Sequence, residues 1–207
     1  MWFQRLYVGV HWRMDSRRKA VYLTFDDGPI PEVTPQVLAI LDRYSVKATF
    51  FMVGENAVKH PEVFEQVRAG GHSIGNHTYN HIKGLRVRTR AYLNNTGKAD
   101  SVLGGTCLFR PPYGRFWIWQ KLALFRQGYE MYLWDVLTHD YNPGYTPERM
   151  LAVIQRYTRN GSIINFHDSL KSNERMLEVL PQAIEWLQQE GYEILPLPMH
   201  NRSAVDK

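Results

Sequence analysis

Two adjacent carboxylates, Asp26 and Asp27, directly follow the apolar run Val21 to Phe25 and precede Gly28 and Pro29. Because glycine and proline form turns, both acids are expected at the end of a strand. Paired acids at such a point suggest a catalytic or metal site. The alternative is an Asp-Gly turn whose carboxylates are only solvated, and this segment by itself does not decide between the two.

Two histidines, His77 and His81, stand four residues apart after the run Ser73 to Asn76. On a helical turn this spacing places both side chains on one face, close enough for two imidazoles to share one metal ion. One carboxylate with two imidazoles is a common hydrolytic zinc set that leaves a fourth position for water. The two histidines are therefore either ligands of a metal ion or purely structural residues.

Further runs also end in cationic or titratable residues. Arg110 precedes a rigid Pro-Pro-Tyr-Gly segment, where it could orient a carboxylate by paired hydrogen bonds or be a plain surface arginine. Asp140 follows a fifth run, and His167 and Asp168 follow a sixth. A single hydrolytic metal site would explain why cationic and titratable residues follow so many successive runs.

The elements that must position these residues are predicted from hydrophobic patterning. Seven short runs predict strands: Val21 to Phe25, Ala48 to Val53, Ser73 to Asn76, Cys107 to Arg110, Met131 to Trp134, Ile163 to Phe166 and Tyr192 to Leu195. Helix signals mostly fill the gaps between the runs. Thr34 and Thr146 each place an N-cap hydroxyl before a proline, and a third helix starts near Pro61. The last helix extends from about Asn173 to Glu190, and Pro181 should kink or divide it. Such alternation is typical of one parallel α/β unit, barrel-like or open, with function at the carboxyl ends of the strands.

Composition limits the class of protein. The chain has 207 residues, 44% hydrophobic and 22% charged, which is typical of one globular domain and excludes disorder, collagen and coiled coil. Cys107 is the only cysteine, so no intrachain disulfide can form. The net charge is +5, and the basic stretches Arg13 to Lys19 and Lys83 to Arg90 carry no groove-reading or base-stacking motif. We therefore expect no nucleic-acid partner and favour solvated loop charge.

The sequence contains no run of the roughly 18 apolar residues that a membrane-spanning helix needs. Its first segment, Met1 to Val8, is interrupted by Gln4 and Arg5, and a secretion signal is not recognisable. We expect a cytoplasmic chain, with export by another route or a removed signal as the alternative.

The motifs in this order resemble the polysaccharide deacetylase family, carbohydrate esterase family 4. They are TFDDGP at Thr24 to Pro29, HTYNH at His77 to His81, RPPYG at Arg110 to Gly114, the Asp140 segment and HD at His167 and Asp168. The resemblance spans Val21 to Leu197. It implies an α/β fold, a distorted seven-stranded (β/α) barrel, as a single catalytic domain over residues 1–207 with its core at about 20–197.

The resemblance also implies roles for individual residues. Asp27, His77 and His81 would hold a divalent metal, typically zinc, with cobalt, nickel or manganese as substitutes. The catalytic residues would be Asp26 as general base, His167 as general acid, Arg110 holding Asp26, Asp140 holding His167, and the backbone N–H of Tyr113 stabilising the oxyanion.

Two positions depart from the family pattern, and one aromatic segment is ambiguous. Tyr141 stands where tryptophan is frequent and Asn165 where leucine is frequent, and both positions help line the acetyl pocket in relatives. A buried Asn165 amide would need a hydrogen-bond partner.

Trp117, with Phe116 and Trp119, forms either a sugar-stacking platform or part of the core.

The resemblance implies a metal-dependent hydrolase that removes acetyl groups from N-acetylglucosamine-containing oligo- or polysaccharides. Three alternatives stay open: an O-acetyl esterase acting on xylan or another acetylated glycan, a catalytically silent carbohydrate-binding protein, and a basic nucleic-acid-binding module that rests only on charge. The oligomeric state is not predicted.

Overall fold

A curled sheet of parallel strands surrounded by helices forms the fold in a computed structural model that describes residues 9–200. The strands are Val10–His11 (β1), Ala20–Asp26 (β2), Thr49–Met52 (β3), Ser73–Asn76 (β4), Leu108–Phe109 (β5), Glu130–Tyr132 (β6), Val136–Leu137 (β7), Ile163–His167 (β8) and Glu193–Ile194 (β9). The helices are Thr34–Arg43 (α1), Gly54–Lys59 (α2), Pro61–Ala69 (α3), Thr89–Leu103 (α4), Ile118–Arg126 (α5), Pro147–Tyr157 (α6) and Asn173–Gln189 (α7). Single 3-10 turns occupy 84–86 and 112–114.

The strand order is β1-β6-β5-β4-β3-β2-β8-β7, with β9 pairing with the first residues of β2. The bridge between Arg13 and Ser162 joins the segment after β1 to the segment before β8, so the two ends of the sheet approach each other. The predicted barrel class is confirmed, and each of the seven predicted runs overlaps a strand. The described residues also hold β1 and β7, which the sequence analysis missed because two residues show no periodicity.

Side chains alternate across β2 and so separate the core from the site. Leu23 and Phe25 pack under the helices, and the Phe25 ring stacks on Phe50 and Phe166 at centroid distances of 5.0 and 5.7 Å. Asp26 lies on the opposite face, inside the curl. In the neighbouring β8, His167 pairs in register with Asp26, and Asn165 pairs in register with Thr24.

Two of the helix predictions need correction. Thr34 is the first residue of α1, not its N-cap, which is Val33; its hydroxyl instead donates to Asp168 Oδ2 at 2.6 Å. Pro181 does not divide α7, which runs as one helix. The N-cap at Thr146 is confirmed, because its side chain accepts a bond from the backbone N–H of Arg149 at 3.4 Å.

Among residues 9–200, no helix is long and apolar enough to cross a membrane. The sequence analysis found no recognisable secretion signal in Met1 to Val8. That segment lies outside the described residues.

Candidate active site

A cleft of about 930 Å³ opens at the carboxyl ends of the strands. Asp26 ends β2, His77 follows β4, and His167 ends β8, so each reaches the cleft from a different strand. This is the end at which ligands bind in parallel α/β folds. The residues that line the cleft are Asp26, Asp27, Ile30, Val53, Glu55, Asn56, His77, Asn80, His81, Lys83, Gly84, Leu85, Arg86, Tyr113, Arg115, Trp134, Leu137, Tyr141, His167, Ser169, Leu170 and Lys171.

Asp27, His77 and His81 form a group that could hold a metal ion, with one ligand atom from each lying within 4.8 Å of the others. Asp27 Oδ1 is 3.2 Å from His81 Nε2 and 3.9 Å from His77 Nε2. The segment between the histidines is a loop and not a helical turn, and Thr78 and His81 in it have positive φ of 67° and 55°. The loop nevertheless brings the two rings together, with centroids 5.0 Å apart.

The chemistry of this group suits a divalent cation. His77 Nδ1 lies 2.7 Å from the carbonyl oxygen of Arg110, so Nδ1 carries the proton and the Nε2 lone pair points to the site. Burial lowers the pKa of His77 to about 4, and burial also lowers the pKa of His81. Both imidazoles are therefore neutral at pH 7, as ligation requires.

Asp26 is a buried carboxylate held by a buried arginine. Arg110 Nη1 donates to Asp26 Oδ1 at 2.7 Å, and the remainder of the Arg110 guanidinium donates to the carbonyls of Tyr132 and Leu133. Burial alone would raise the pKa of Asp26, but Arg110, with smaller contributions from His77 and His167, lowers it below the usual value. Asp26 is thus ionised at neutral pH and fixed in position, and the surface-arginine alternative for Arg110 is wrong because its side chain is fully buried.

Asn165 does not line the cleft, contrary to the prediction, but lies fully buried beneath Asp26. Its Nδ2 donates to Asp26 Oδ2 at 3.2 Å, and its Oδ1 accepts bonds from Arg110 Nη1 and from Thr24 Oγ1. The polar partners that a buried amide needs are therefore present. Strand alternation explains the position, because Asn165 faces the same side as His167 but lies two residues deeper in β8.

His167 and Asp140 form a second hydrogen-bonded pair at the cleft. Asp140 Oδ1 lies 2.8 Å from His167 Nδ1, and Asp140 Oδ2 accepts the backbone N–H of His167 at 2.6 Å. Burial alone would lower the pKa of His167. The hydrogen bond and charge of Asp140, with the charges of Asp26 and Asp27, instead raise it to about 9. His167 therefore carries a proton at neutral pH.

The predicted aromatic residues divide into two groups. Tyr113 and Tyr141 line the cleft, and the Tyr141 ring meets the His167 ring edge-on at 5.1 Å. Tyr113 has a φ of 62°, a conformation that non-glycine residues rarely adopt and that is concentrated at functional sites. Trp117 is half exposed as the N-cap of α5 and does not line the cleft, so its contact with sugar stays a prediction.

Several residues that shape the site could not be recognised from the sequence. Leu137 and Trp134 line the cleft, and Leu137 belongs to β7, a strand too short to show a pattern. Asp168, which was predicted at the end of the sixth run without a role of its own, accepts the Gly28 backbone N–H at 3.0 Å and so holds the turn after Asp27. Burial raises the pKa of Asp168 to about 8.

Comparison with known proteins agrees with this geometry. The family described as Polysaccharide deacetylase matches residues 13–129. A peptidoglycan-N-acetylglucosamine deacetylase of Bacillus cereus is 32% identical over 197 residues, covering 90% of this chain and 90% of the relative. A chitooligosaccharide deacetylase of Azorhizobium caulinodans is 33% identical over 205 residues, covering 90% and 96%. The crystal structure of a peptidoglycan N-acetylglucosamine deacetylase in complex with 4-naphthalen-1-yl-N-oxidanyl-benzamide has a TM-score of 0.90 at 30% identity, covering 95% of this chain and 94% of that one. On the strength of its motifs, its fold and these relatives, this chain belongs to the polysaccharide deacetylase family.

Proposed function

We propose that this chain is a metal-dependent hydrolase that removes acetyl groups from N-acetylglucosamine units of an oligo- or polysaccharide. The observation that carries the proposal is one cleft that holds a three-residue metal-ligand group, an ionised carboxylate and a protonated imidazole. The names of the relatives, which act on peptidoglycan N-acetylglucosamine and on chitooligosaccharides, support the choice of substrate.

Asp27, His77 and His81 would hold the metal, and zinc suits a ligand set of one carboxylate and two imidazoles. A divalent ion bound there supplies Lewis-acid polarisation of the acetamide carbonyl and a lowered pKa for water.

Asp26 serves as the general base. Its carboxylate is ionised at neutral pH and lies at the cleft beside the metal-ligand group, so it can take a proton from the attacking water. Arg110 and Asn165 hold the two Asp26 oxygens, and this restraint keeps the base aligned. The backbone N–H of Tyr113 donates to the carbonyl oxygen as it becomes negatively charged.

His167 serves as the general acid. The departing amine is a poor leaving group unless its nitrogen gains a proton, and His167 is protonated at neutral pH. Asp140 orients the ring through Nδ1, which leaves Nε2 to donate. The carbon–nitrogen bond breaks, and the products are acetate and a free amino sugar.

The test is acetate release from N-acetylglucosamine oligomers by metal-free protein with and without added zinc. We expect release only with zinc, and loss of at least about 100-fold in Asp26→Asn, because a general base contributes that much or more. The exposed Asp42 of α1 provides the control Asp42→Asn, which should retain activity. Zinc binding without acetate release from any oligomer would refute the proposal, and O-acetylated xylan assayed in parallel would reveal an esterase.

A further inference from the structure

Four cationic side chains line the cleft in addition to the reacting groups. Lys83, Arg86, Arg115 and Lys171 are all exposed, and each follows closely on a residue of the candidate active site. Lys83 comes two residues after His81, and Arg115 two residues after Tyr113. We call these four residues the basic rim.

The rim cations are placed close to the reacting centre. Lys83 Nζ lies 4.5 Å from the centre of the Tyr113 ring, which itself lies 4.7 Å from the His81 ring. A Cβ added to Gly84 would lie 3.0 Å from the carbonyl oxygen of Arg115, so the 84–86 turn packs directly on the segment after Tyr113. Three of the four cations therefore come from two loops packed together, while Lys171 comes from the loop after β8.

No carboxylate neutralises the basic rim. Within residues 9–200, none of the four cations forms an ion pair. Of the acids that line the cleft, Asp26 is paired with Arg110, Asp27 belongs to the metal-ligand group, and Glu55 lies 3.5 Å from Lys59. Like charges gathered at a cleft without counter-charges attract an anionic ligand.

The neighbouring sequence provides an internal contrast. Arg86, Arg88 and Arg90 alternate along one segment, and all three are exposed. Arg86 lines the cleft, whereas Arg88 is the N-cap of α4 and Arg90 lies in the first turn of that helix, outside the cleft. The same residue type is thus present at the rim and just outside it.

We propose that the glycan bound in this cleft carries anionic groups, carboxylate or phosphate, on sugars next to the one that loses its acetyl group. Arginine binds both groups through paired hydrogen bonds, and lysine adds a point charge. This inference rests on the proposed function and narrows its substrate class from N-acetylated glycans in general to acidic ones.

The experiment compares three N-acetylglucosamine pentamers that differ at C6 of the flanking sugars: hydroxyl, carboxylate and phosphate. The zinc-loaded protein releases acetate, and kcat/KM is measured at increasing NaCl. We expect kcat/KM to be about tenfold higher for the anionic pentamers at low salt, the lower end of what electrostatic steering gives, and the advantage to shrink as salt screens it. The anionic pentamer with the higher kcat/KM shows whether carboxylate or phosphate is preferred.

Matched variants assign the effect to the rim. In the double variant Arg86→Gln with Arg115→Gln, the ratio of anionic to neutral kcat/KM should approach one. In the control Arg88→Gln with Arg90→Gln, that ratio should stay as in the unmodified protein. Equal kcat/KM for the three pentamers, or an equal loss of the advantage in both double variants, would overturn the inference.

Failure of the proposed function is distinguishable from failure of this inference. If no pentamer releases acetate, the deacetylase proposal falls, and calorimetric binding of the same pentamers then decides the inference about the rim. Tighter binding of the anionic pentamers that is lost in the Arg86 and Arg115 variant would still support an acidic ligand. Equal dissociation constants would refute it.

Discussion

Replacing Asp140 by asparagine should change the protonation of His167 more than its position. The carboxylate accepts two N–H groups of His167, from the backbone at 2.6 Å and from Nδ1 at 2.8 Å. An asparagine side chain has a single acceptor oxygen, so its NH₂ group must face one of these donors. Asp140 Oδ1 also accepts the backbone N–H of Tyr141 at 2.9 Å, so in either orientation of the amide at least one N–H loses its acceptor, and the negative charge beside the ring is removed.

The size of the effect follows from the raised pKa of His167. A rise from 6.5 to about 9 corresponds to about 3 kcal/mol in favour of the charged ring. Asp140 provides the two largest contributions that raise the pKa, and burial opposes them. In Asp140→Asn we therefore expect the pKa to fall to 6.5 or lower. A neutral ring is a poor acid, so kcat should fall by about 100-fold or more.

The raised pKa of His167 also predicts how the free energy of unfolding depends on pH. His167 stabilises the folded state fully below pH 6.5, and this contribution is lost as the pH rises through about 9. The difference in the free energy of unfolding between the unmodified protein and Asp140→Asn should therefore be largest below pH 6.5 and narrow towards pH 9.

The assay is an NMR titration of the His167 ring in metal-free protein, combined with kcat for the zinc-loaded protein. Asp135→Asn is the control, because Asp135 also accepts a backbone N–H, from Ile163 at 3.0 Å, but does not contact His167. A His167 pKa that stays near 9 in Asp140→Asn would refute the reasoning and assign the charge stabilisation to Asp26 and Asp27.

Two further changes test the support of the site. In Gly28→Ala the new Cβ would lie 2.0 Å from Asp168 Oδ2. We therefore expect about 3 kcal/mol of destabilisation in thermal unfolding and weaker zinc binding in calorimetry. Unchanged zinc affinity would mean that the turn does not position Asp27. Asn165→Leu removes the Nδ2 bond to Asp26 and should lower the free energy of unfolding by about 2 kcal/mol in denaturant titrations. An unaltered midpoint would show that this buried bond contributes no net stability.

Much of the fold could be predicted from local sequence. Each strand that was predicted combines β-branched or aromatic residues with a following turn, and these signals lie within a few residues of one another. β1 and β7 were missed because two residues carry no such signal. Their pairing depends on the strands beside them, which are Met131 and Tyr132 for β1 and Ile164 and Asn165 for β7.

The site was predicted in part for the same reason. The types and order of its groups are visible in the motifs, but the conformation between His77 and His81 is a loop with positive φ and not a helical turn. Thr34 looked like an N-cap because its hydroxyl precedes a proline. In the folded chain that hydroxyl donates to Asp168, which is 134 residues away.

The chemical groups of the site, and the family-typical order in which they follow strands, can be recognised in the amino-acid sequence alone. Those features are local, since turns and short apolar runs need no distant partner to be recognised. Which of these groups touch depends on how distant strands pair in the folded chain. Asn165 and Asp26 are 139 residues apart, and the parallel pairing of β8 with β2 makes the amide of Asn165 a hydrogen-bond donor to Asp26. The basic rim likewise exists only because separate loops meet at the carboxyl ends of the strands, where like charges from distant positions gather around one cleft.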